Sequence, residues 1–411
     1  MKSYAIVGCG GRALGMFAIP IVKNFPHCAR LVGLCDINQG RLDYFNRVLE
    51  SKIPTFQDFD LMIRTTKPDI VIVTTKDALH HQFVLRAFEL GCDVICEKPM
   101  AINDQQCREI LAAEKKTGRK ITVTFNYRFV PYVTRIRELL SQNAIGKILS
   151  LDFAYQLDRN HGADYFRRWH RRKENSGGLL VHKSTHHFDV INWLIGQDPQ
   201  TVFAIGSRQF YGPTRKERGQ RCLTCDHKKT CEFYFDINGP TTVGSVLDTS
   251  ELYAKVEQFD GYIRDQCVFS DEIDIEDTMN LAIRYSGGTQ MSYSLNAHCI
   301  YEGWRLAING VDGRLEAQEW HSGPYVAKDN QEISLLRWQK PMETVTVKVD
   351  HGDHGGGDAR LHKMLFEGPG ADPLAHMASS RAGAMSILTG IAANHSIESK
   401  QPVEISNLLR G

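Results

Sequence analysis

The 411-residue sequence has no run of 18 or more apolar residues, which excludes an apolar membrane-spanning helix. It has no excess of either charge. Its 49 Lys and Arg face 48 Asp and Glu, so nothing in the net charge points to nucleic acid, a membrane surface or a polyanionic substrate. The expected partner is a small, near-neutral molecule. No charged and apolar succession of a secretion signal precedes Tyr4-Ala5-Ile6-Val7, and the 11 cysteines are scattered like reduced thiols, so a cytoplasmic location is expected. Internal repeats and low-complexity tracts are missing as well, which excludes a solenoid. A chain this long is expected to divide into two domains.

From Tyr4 to Thr124, short Val/Ile-rich runs alternate with helical patterns. The runs are residues 4–7, 31–35, 70–74, 94–96 and 121–124, and helices are expected over 39–49 and 79–90. Runs that are apolar throughout belong to a parallel sheet covered on both faces, so residues 1–125 are predicted to form a doubly wound α/β domain of Rossmann type. After Asn126 a helix over 131–142 leads into alternating strands at 148–155, 201–207, 279–285 and 289–295, with turn signals at Ser286-Gly287-Gly288 and Asp312-Gly313. Residues 126–411 are therefore predicted to be an α+β domain on a mostly antiparallel open sheet, with further helices over 182–194 and 376–395 and a Gly/Asp/His-rich loop over 350–358.

Gly8-Cys9-Gly10-Gly11-Arg12-Ala13 follows the first strand directly, giving G-x-G-x-x-A in the strand–turn–helix setting that a pyrophosphate needs. Gly8 permits the tight turn, Gly10 the close backbone approach, and Ala13 close packing of helix on strand. Asp36 ends the second strand about 20 residues on, where a carboxylate accepts from ribose hydroxyls. NAD is expected over NADP, because a carboxylate there repels a 2′-phosphate even with Arg41 nearby.

Glu97-Lys98-Pro99 follows another strand of the sheet and so lies at its carboxyl end, where open α/β folds bind ligands. With this motif the chain resembles the glucose–fructose oxidoreductase/inositol dehydrogenase (Gfo/Idh/MocA) superfamily. Thr75 to His80, Asn126-Tyr127-Arg128-Phe129 with Pro131, and Gly177-Gly178 add to the resemblance, which covers nearly the whole chain. It implies that Lys98 meets the substrate hydroxyl. It also implies a cofactor site that adds Thr75, His80, Glu97, Lys98, Arg128 and Trp169 to the glycine loop and Asp36. The family's next motif, an aspartate and a histidine four apart and a further aspartate three on, aligns with His182, His186 and Asp189. On one helix those spacings share a face, opposite an apolar stripe of Phe188, Ile191 and Ile195. His186 matches the family's proton-accepting histidine; His182 departs from its usual aspartate. Lys98, His186 and His182 are thus the expected catalytic groups, and Tyr127, Tyr165 and Asp189 complete the expected substrate contacts. Tyr165, Arg168 and Trp169 form an aromatic and cationic stretch suited to a sugar ring or the cofactor. Residues 354–358, His-Gly-Gly-Gly-Asp, resemble a loop of some family members and equally read as a glycine-rich turn.

Cys222-x2-Cys225-x5-Cys231 lies in a basic, turn-rich insertion, about residues 218–235, with little apolar periodicity to order it. A structural zinc would do so, with His227 or Cys267 as fourth ligand. The family resemblance favours Cys267.

The function expected is NAD-dependent oxidation or reduction of a secondary hydroxyl on a sugar, sugar derivative or cyclitol, by a homo-oligomer (dimer or tetramer). Two alternatives stand beside it: an NAD-retaining enzyme that cleaves glycosides through transient oxidation, and a non-catalytic NAD-binding sensor.

Overall fold

Six short segments pair in parallel because their side chains are apolar on both faces: β1 (Lys2–Val7), β2 (Ala29–Cys35), β3 (Thr55–Phe56), β4 (Ile70–Val73), β5 (Asp93–Cys96) and β6 (Ile121–Val123). The computed structural model describes residues 1–239 and 248–410. In β4, Val71, Ile72 and Val73 are fully buried, so no face of the strand is left for water. The strands run in the order β6-β5-β4-β1-β2-β3, and the crossovers are helices such as α1 (Gln39–Val48) and α2 (Asp77–Glu89). Asn38 caps α1 by accepting from the Arg41 N–H. This is the doubly wound arrangement, and it puts the ends of β1, β4 and β5 around one crevice.

The second sheet is read from strict alternation. In β9 (Thr278–Tyr285), Met279, Leu281, Ile283 and Tyr285 are buried while Asn280, Ala282 and Arg284 face out. With β7 (Ile148–Asp158), β8 (Pro199–Ser207), β10 (Gln290–Cys299), β11 (Gly303–Gly310), β12 (Gly313–Trp320), β13 (Asn330–Arg337) and β14 (Glu343–Lys348) it builds the order β14-β13-β12-β11-β7-β10-β9-β8. All neighbours are antiparallel except β7 and β10, which lie parallel with Phe153 opposite Tyr293.

The chain then returns to the first sheet. β15 (Ala378–Ser379) pairs antiparallel with β6, and β16 (Val403–Glu404) closes the other edge of the second sheet. The helix between them, Ser380–Ser399, is buried over most of its length and packs on the helix Thr185–Ile195 and on β8. One apolar core runs from Val71 and Val94 through Met100 and Ile387 to Leu281 and Tyr293, so the two sheets are held to each other by shared packing.

Three expectations are corrected. The helix expected over 182–194 is two pieces, Leu179–His182 and α3 (Thr185–Ile195). Ser184 and Thr185, both fully buried at the joint, are engaged by Tyr293 and Ser386, contacts that periodicity does not contain. The C-terminal helix α4 begins at Ser380 and runs to Ser399, because the preceding residues join the first sheet. The loop expected over 350–358 passes into a further helix, Gly357–Phe366, which docks Leu361, Leu365 and Phe366 beside β1.

Candidate active site

The glycine loop turns where only glycine fits: Gly8 has φ +91°, and a Cβ there would meet the Thr74 and Thr75 backbone at 2.7 Å. Residues 11–24 then coil as one helix with its first amides at the crevice. Asp36, 9 % exposed, accepts from the Cys9 N–H at 2.7 Å and the Asn38 N–H at 2.8 Å. Each oxygen keeps a lone pair for a ribose hydroxyl. Burial raises its pKa, and Arg41 and the two amides draw it back. Arg41 is held by Asp260 at 2.7 Å and lies 3.6 Å from Asp36, so it is engaged by carboxylates. The donor and acceptor set fits a dinucleotide with an unsubstituted ribose.

Arg12 pairs with Glu97 at 2.8 Å and approaches Asp358 at 3.7 Å, tying the glycine loop both to β5 and to the helix Gly357–Phe366. His80 has Pro99 O at 2.8 Å and Thr75 O at 3.2 Å on its two ring nitrogens. It links the β4 and β5 loops and has no ring nitrogen left for a cofactor. Thr75 itself sits half-buried at the crevice, its hydroxyl donating to Lys76 O at 3.2 Å.

Lys98 Nζ lies 3.3 Å from His182 Nε2 and donates to His182 O at 3.2 Å. His182 Nδ1 in turn is hydrogen-bonded to Asp77, at the start of α2. Asp77, His182 and Lys98 therefore form a chain across the domain boundary. Burial lowers the Lys98 pKa to about 8, with Asp77 and then Glu97 pulling it up. Burial also pushes Asp77 up and His182 well down, so the proton between them belongs to the pair. His186 lies in the first turn of α3 with its ring 5.8 Å from that of Tyr127 and 6.1 Å from that of Phe125, and among the described residues its Nδ1 is buried without a partner. Burial, then Lys98, keeps it neutral.

The second sheet closes the other side. Glu302, after β10, accepts from Tyr155 at 2.8 Å and lies 2.9 Å from His161 Nδ1. Burial pushes its carboxyl up, but His161, Lys183 and Tyr155 more than offset this and bring it to about 2. Tyr165 bonds His161 at 3.0 Å and packs edge-on to His182, and Tyr127 bonds His321 at 2.9 Å. Trp169 stacks on His170 at 3.6 Å and meets His182 edge-on.

Of the residues expected at the site, Lys98, His182, His186, Tyr127, Tyr165 and Trp169 come together. Asp189 and Arg128 do so only with each other: Arg128 Nε and Nη2 engage both oxygens of Asp189, which is 1 % exposed. They clamp α3 to the segment Asn126–Phe129. Asp77, His161, Glu302 and His321 were not found by sequence reasoning. Asp77 alone had a signal, a carboxylate just beyond β4 at the carboxyl edge of the sheet.

Cys222, Cys225, Cys231 and Cys267 line one cavity of about 20 Å³, with His227 beside them. That is room for one water or ion. Cys222 N–H donates to Asp265 O at 2.7 Å and Cys267 N–H to Gln220 O at 2.9 Å, which pins the two segments together. Among the described residues, however, no three His, Cys, Asp or Glu side chains form a metal-ligand group. The expected ligands are neighbours without a coordination shell, because Cys222 Sγ turns toward Arg167 and Cys231 Sγ toward Arg215.

A glycine loop after β1, a buried carboxylate at the end of β2 and a lysine with a depressed pKa at the end of β5 share the carboxyl edge of one doubly wound sheet, the arrangement of a dinucleotide-binding oxidoreductase fold. The chain belongs to the Gfo/Idh/MocA oxidoreductase family: residues 2–125 match its NAD-binding Rossmann fold and residues 137–405 its C-terminal alpha/beta domain. It is 37 % identical to YteT of Bacillus subtilis (strain 168), a protein named only as a candidate oxidoreductase, over 100 % of this chain and 99 % of that one. It is 28 % identical to the D-glucoside 3-dehydrogenase of Escherichia coli (strain K12) over 47 % of this chain and 55 % of that one. Among solved structures it resembles an oxidoreductase from Agrobacterium radiobacter in complex with NAD+, L-tartaric acid and magnesium, with a TM-score of 0.68, 15 % identity and 99 % of both chains covered. No helix among the described residues is long and apolar enough to cross a membrane.

Proposed function

We propose that the protein reversibly oxidises a secondary hydroxyl of a sugar, sugar derivative or cyclitol with NAD, as a cytoplasmic homo-oligomer. The observation that carries the reading is the chain Asp77–His182–Lys98, with His186 in the first turn of α3 and aromatic rings of Tyr127, Tyr165 and Trp169 around it. Bound NAD would supply the hydride acceptor. Lys98, with a pKa near 8, takes the hydroxyl proton and shares it with His182 and Asp77. His186, kept neutral, bonds the same oxygen, so this reading moves proton acceptance from His186 to Lys98. Asp36 orients the adenosine ribose, and Arg12 with Glu97 fixes the loop that faces the pyrophosphate.

The test is incubation with polyols, sugars and glycosides in deuterated water. Net oxidation yields NADH in step with ketone and leaves the neighbouring carbon unlabelled. A second reading, glycoside cleavage by transient oxidation, is favoured by the extra acid/base pair His182–Asp77. It requires consumption of glycoside without net NADH and deuterium at the carbon beside the oxidised one. Loss of neither substrate class would return the sensor reading. Because Asp36 and Asp260 both oppose a 2′-phosphate, NAD is expected to bind at least about tenfold more tightly than NADP. Equal affinities by titration calorimetry would refute that preference.

For the cysteine cluster, the proposal is one structural zinc on Cys222, Cys225, Cys231 and Cys267, supported by the knuckle spacing and the shared cavity. The thiolates would have to draw together on binding. Elemental analysis is expected to find about one zinc per chain, lost in a Cys222→Ser/Cys225→Ser variant. A folded, metal-free protein would exclude it.

A further inference from the structure

The segment from Asp248 to Tyr262 belongs by sequence to the second half of the chain but lies on the dinucleotide loop. It comprises a short helix, Thr249–Leu252, and a tight turn of helix, Ala254–Phe259. Tyr253 Oη accepts the Gly11 N–H at 3.0 Å, an amide from the very turn that faces a pyrophosphate. Asn38 Nδ2 donates to Val256 O at 2.9 Å, and Arg41 pairs with Asp260. The Arg41 guanidinium also lies 5.6 Å from the Tyr253 ring centre and 5.8 Å from that of Tyr262. Among the described residues, Tyr262 Oη and Arg41 Nε are buried there without a hydrogen-bond partner. On the far side Arg221, next to Cys222, grips both Glu257 at 3.0 Å and Asp265, so the segment is anchored to the cysteine insertion.

Val256 rests directly on α1. A Cβ at Gly40 would lie 2.3 Å from Val256 Cγ1 and 2.8 Å from its Cβ, so the contact exists only because residue 40 is glycine.

We propose that residues 248–262 are part of the NAD site: a strap that closes the adenosine end of the crevice, with Tyr253 as a pyrophosphate-binding residue, so that the cofactor leaves only when the strap lifts. The inference rests on the NAD reading. A tyrosine hydroxyl that accepts from Gly11 still has its own proton to donate to a phosphate oxygen, and Tyr262 Oη and Arg41 Nε are polar atoms that a bound ligand can satisfy. Each contact of the strap must break before release, so the strap slows dissociation.

The experiment is stopped-flow measurement of NADH dissociation. Gly40→Ala, an exchange that favours the helix, pushes Val256 away and is expected to raise the dissociation rate about tenfold or more. Gly40→Ala/Val256→Gly removes the collision and is expected to restore much of the slow rate. Tyr253→Phe keeps the ring and is expected to weaken NADH and ADP-ribose alike while leaving adenosine binding unchanged. An unchanged rate in Gly40→Ala, or equal binding by Tyr253→Phe, overturns the strap while leaving the NAD reading intact. Failure of the unaltered protein to bind NADH overturns both.

Discussion

Lys98→Met is expected to lower turnover about 10²–10⁴-fold with NAD affinity nearly unchanged. The loss corresponds to roughly 3–5 kcal/mol of transition-state stabilisation, too large for removal of one solvent-facing ammonium. Lys98 is no such group: its Nζ is held by the ring and carbonyl of His182, and burial has brought its pKa to about 8. A lysine with that pKa is partly in its amine form near neutral pH, and the amine can accept the hydroxyl proton as hydride leaves the carbon that bears that hydroxyl. Methionine keeps the unbranched stem and its packing, so the expected loss lies in turnover. The Asp36 and glycine-loop contacts are made by other segments, which is why NAD affinity is expected to hold. Steady-state kinetics with calorimetric NAD titration separates the two terms. Turnover within threefold of the unaltered protein would contradict both enzyme readings.

How far the sequence reaches depends on whether a signal is local. β4 and β5 are apolar on both faces, so the first sheet and the glycine loop are legible from short windows. β9 and β10 declare themselves by alternation with a Gly-Gly turn between them. Lys98 and His186 could be read as candidates because a local motif surrounds each. Asp77 meets His182 across 105 residues and His161 meets Glu302 across 141, and no periodicity records such pairings. The same limit misled the expectation that His182 and Asp189 share one helical face. Spacings of four and seven share a face only on an unbroken helix, and the joint at Ser184 and Thr185 turns His182 to Lys98 while Asp189 is claimed by Arg128. The strap was invisible for a related reason, since a contact between Gly40 and Val256 belongs to two segments with no common pattern.

Asp77→Asn is expected to reduce turnover about 10²-fold and to move the pH dependence in a fixed direction. The carboxylate acts on Lys98 through His182. Asp77 is the largest influence raising the lysine's pKa against the lowering effect of burial, so its neutralisation leaves desolvation less opposed and the pKa falls below about 8. In the oxidising direction the amine form is the active one, so activity rises through the lysine pKa as pH increases. The acid limb of kcat/KM should therefore lie at lower pH in the variant, although the plateau is depressed. The depression has a separate cause. Asparagine can accept the His182 N–H but cannot take up charge, so a proton passed from Lys98 to His182 is no longer stabilised. A purely structural role for Asp77 would lower activity at every pH with the limb unmoved, and a shift to higher pH would reverse the assignment of Lys98 as the proton acceptor. Asp77→Glu, which restores the charge one methylene further out, should return the limb toward its original position and recover part of the plateau.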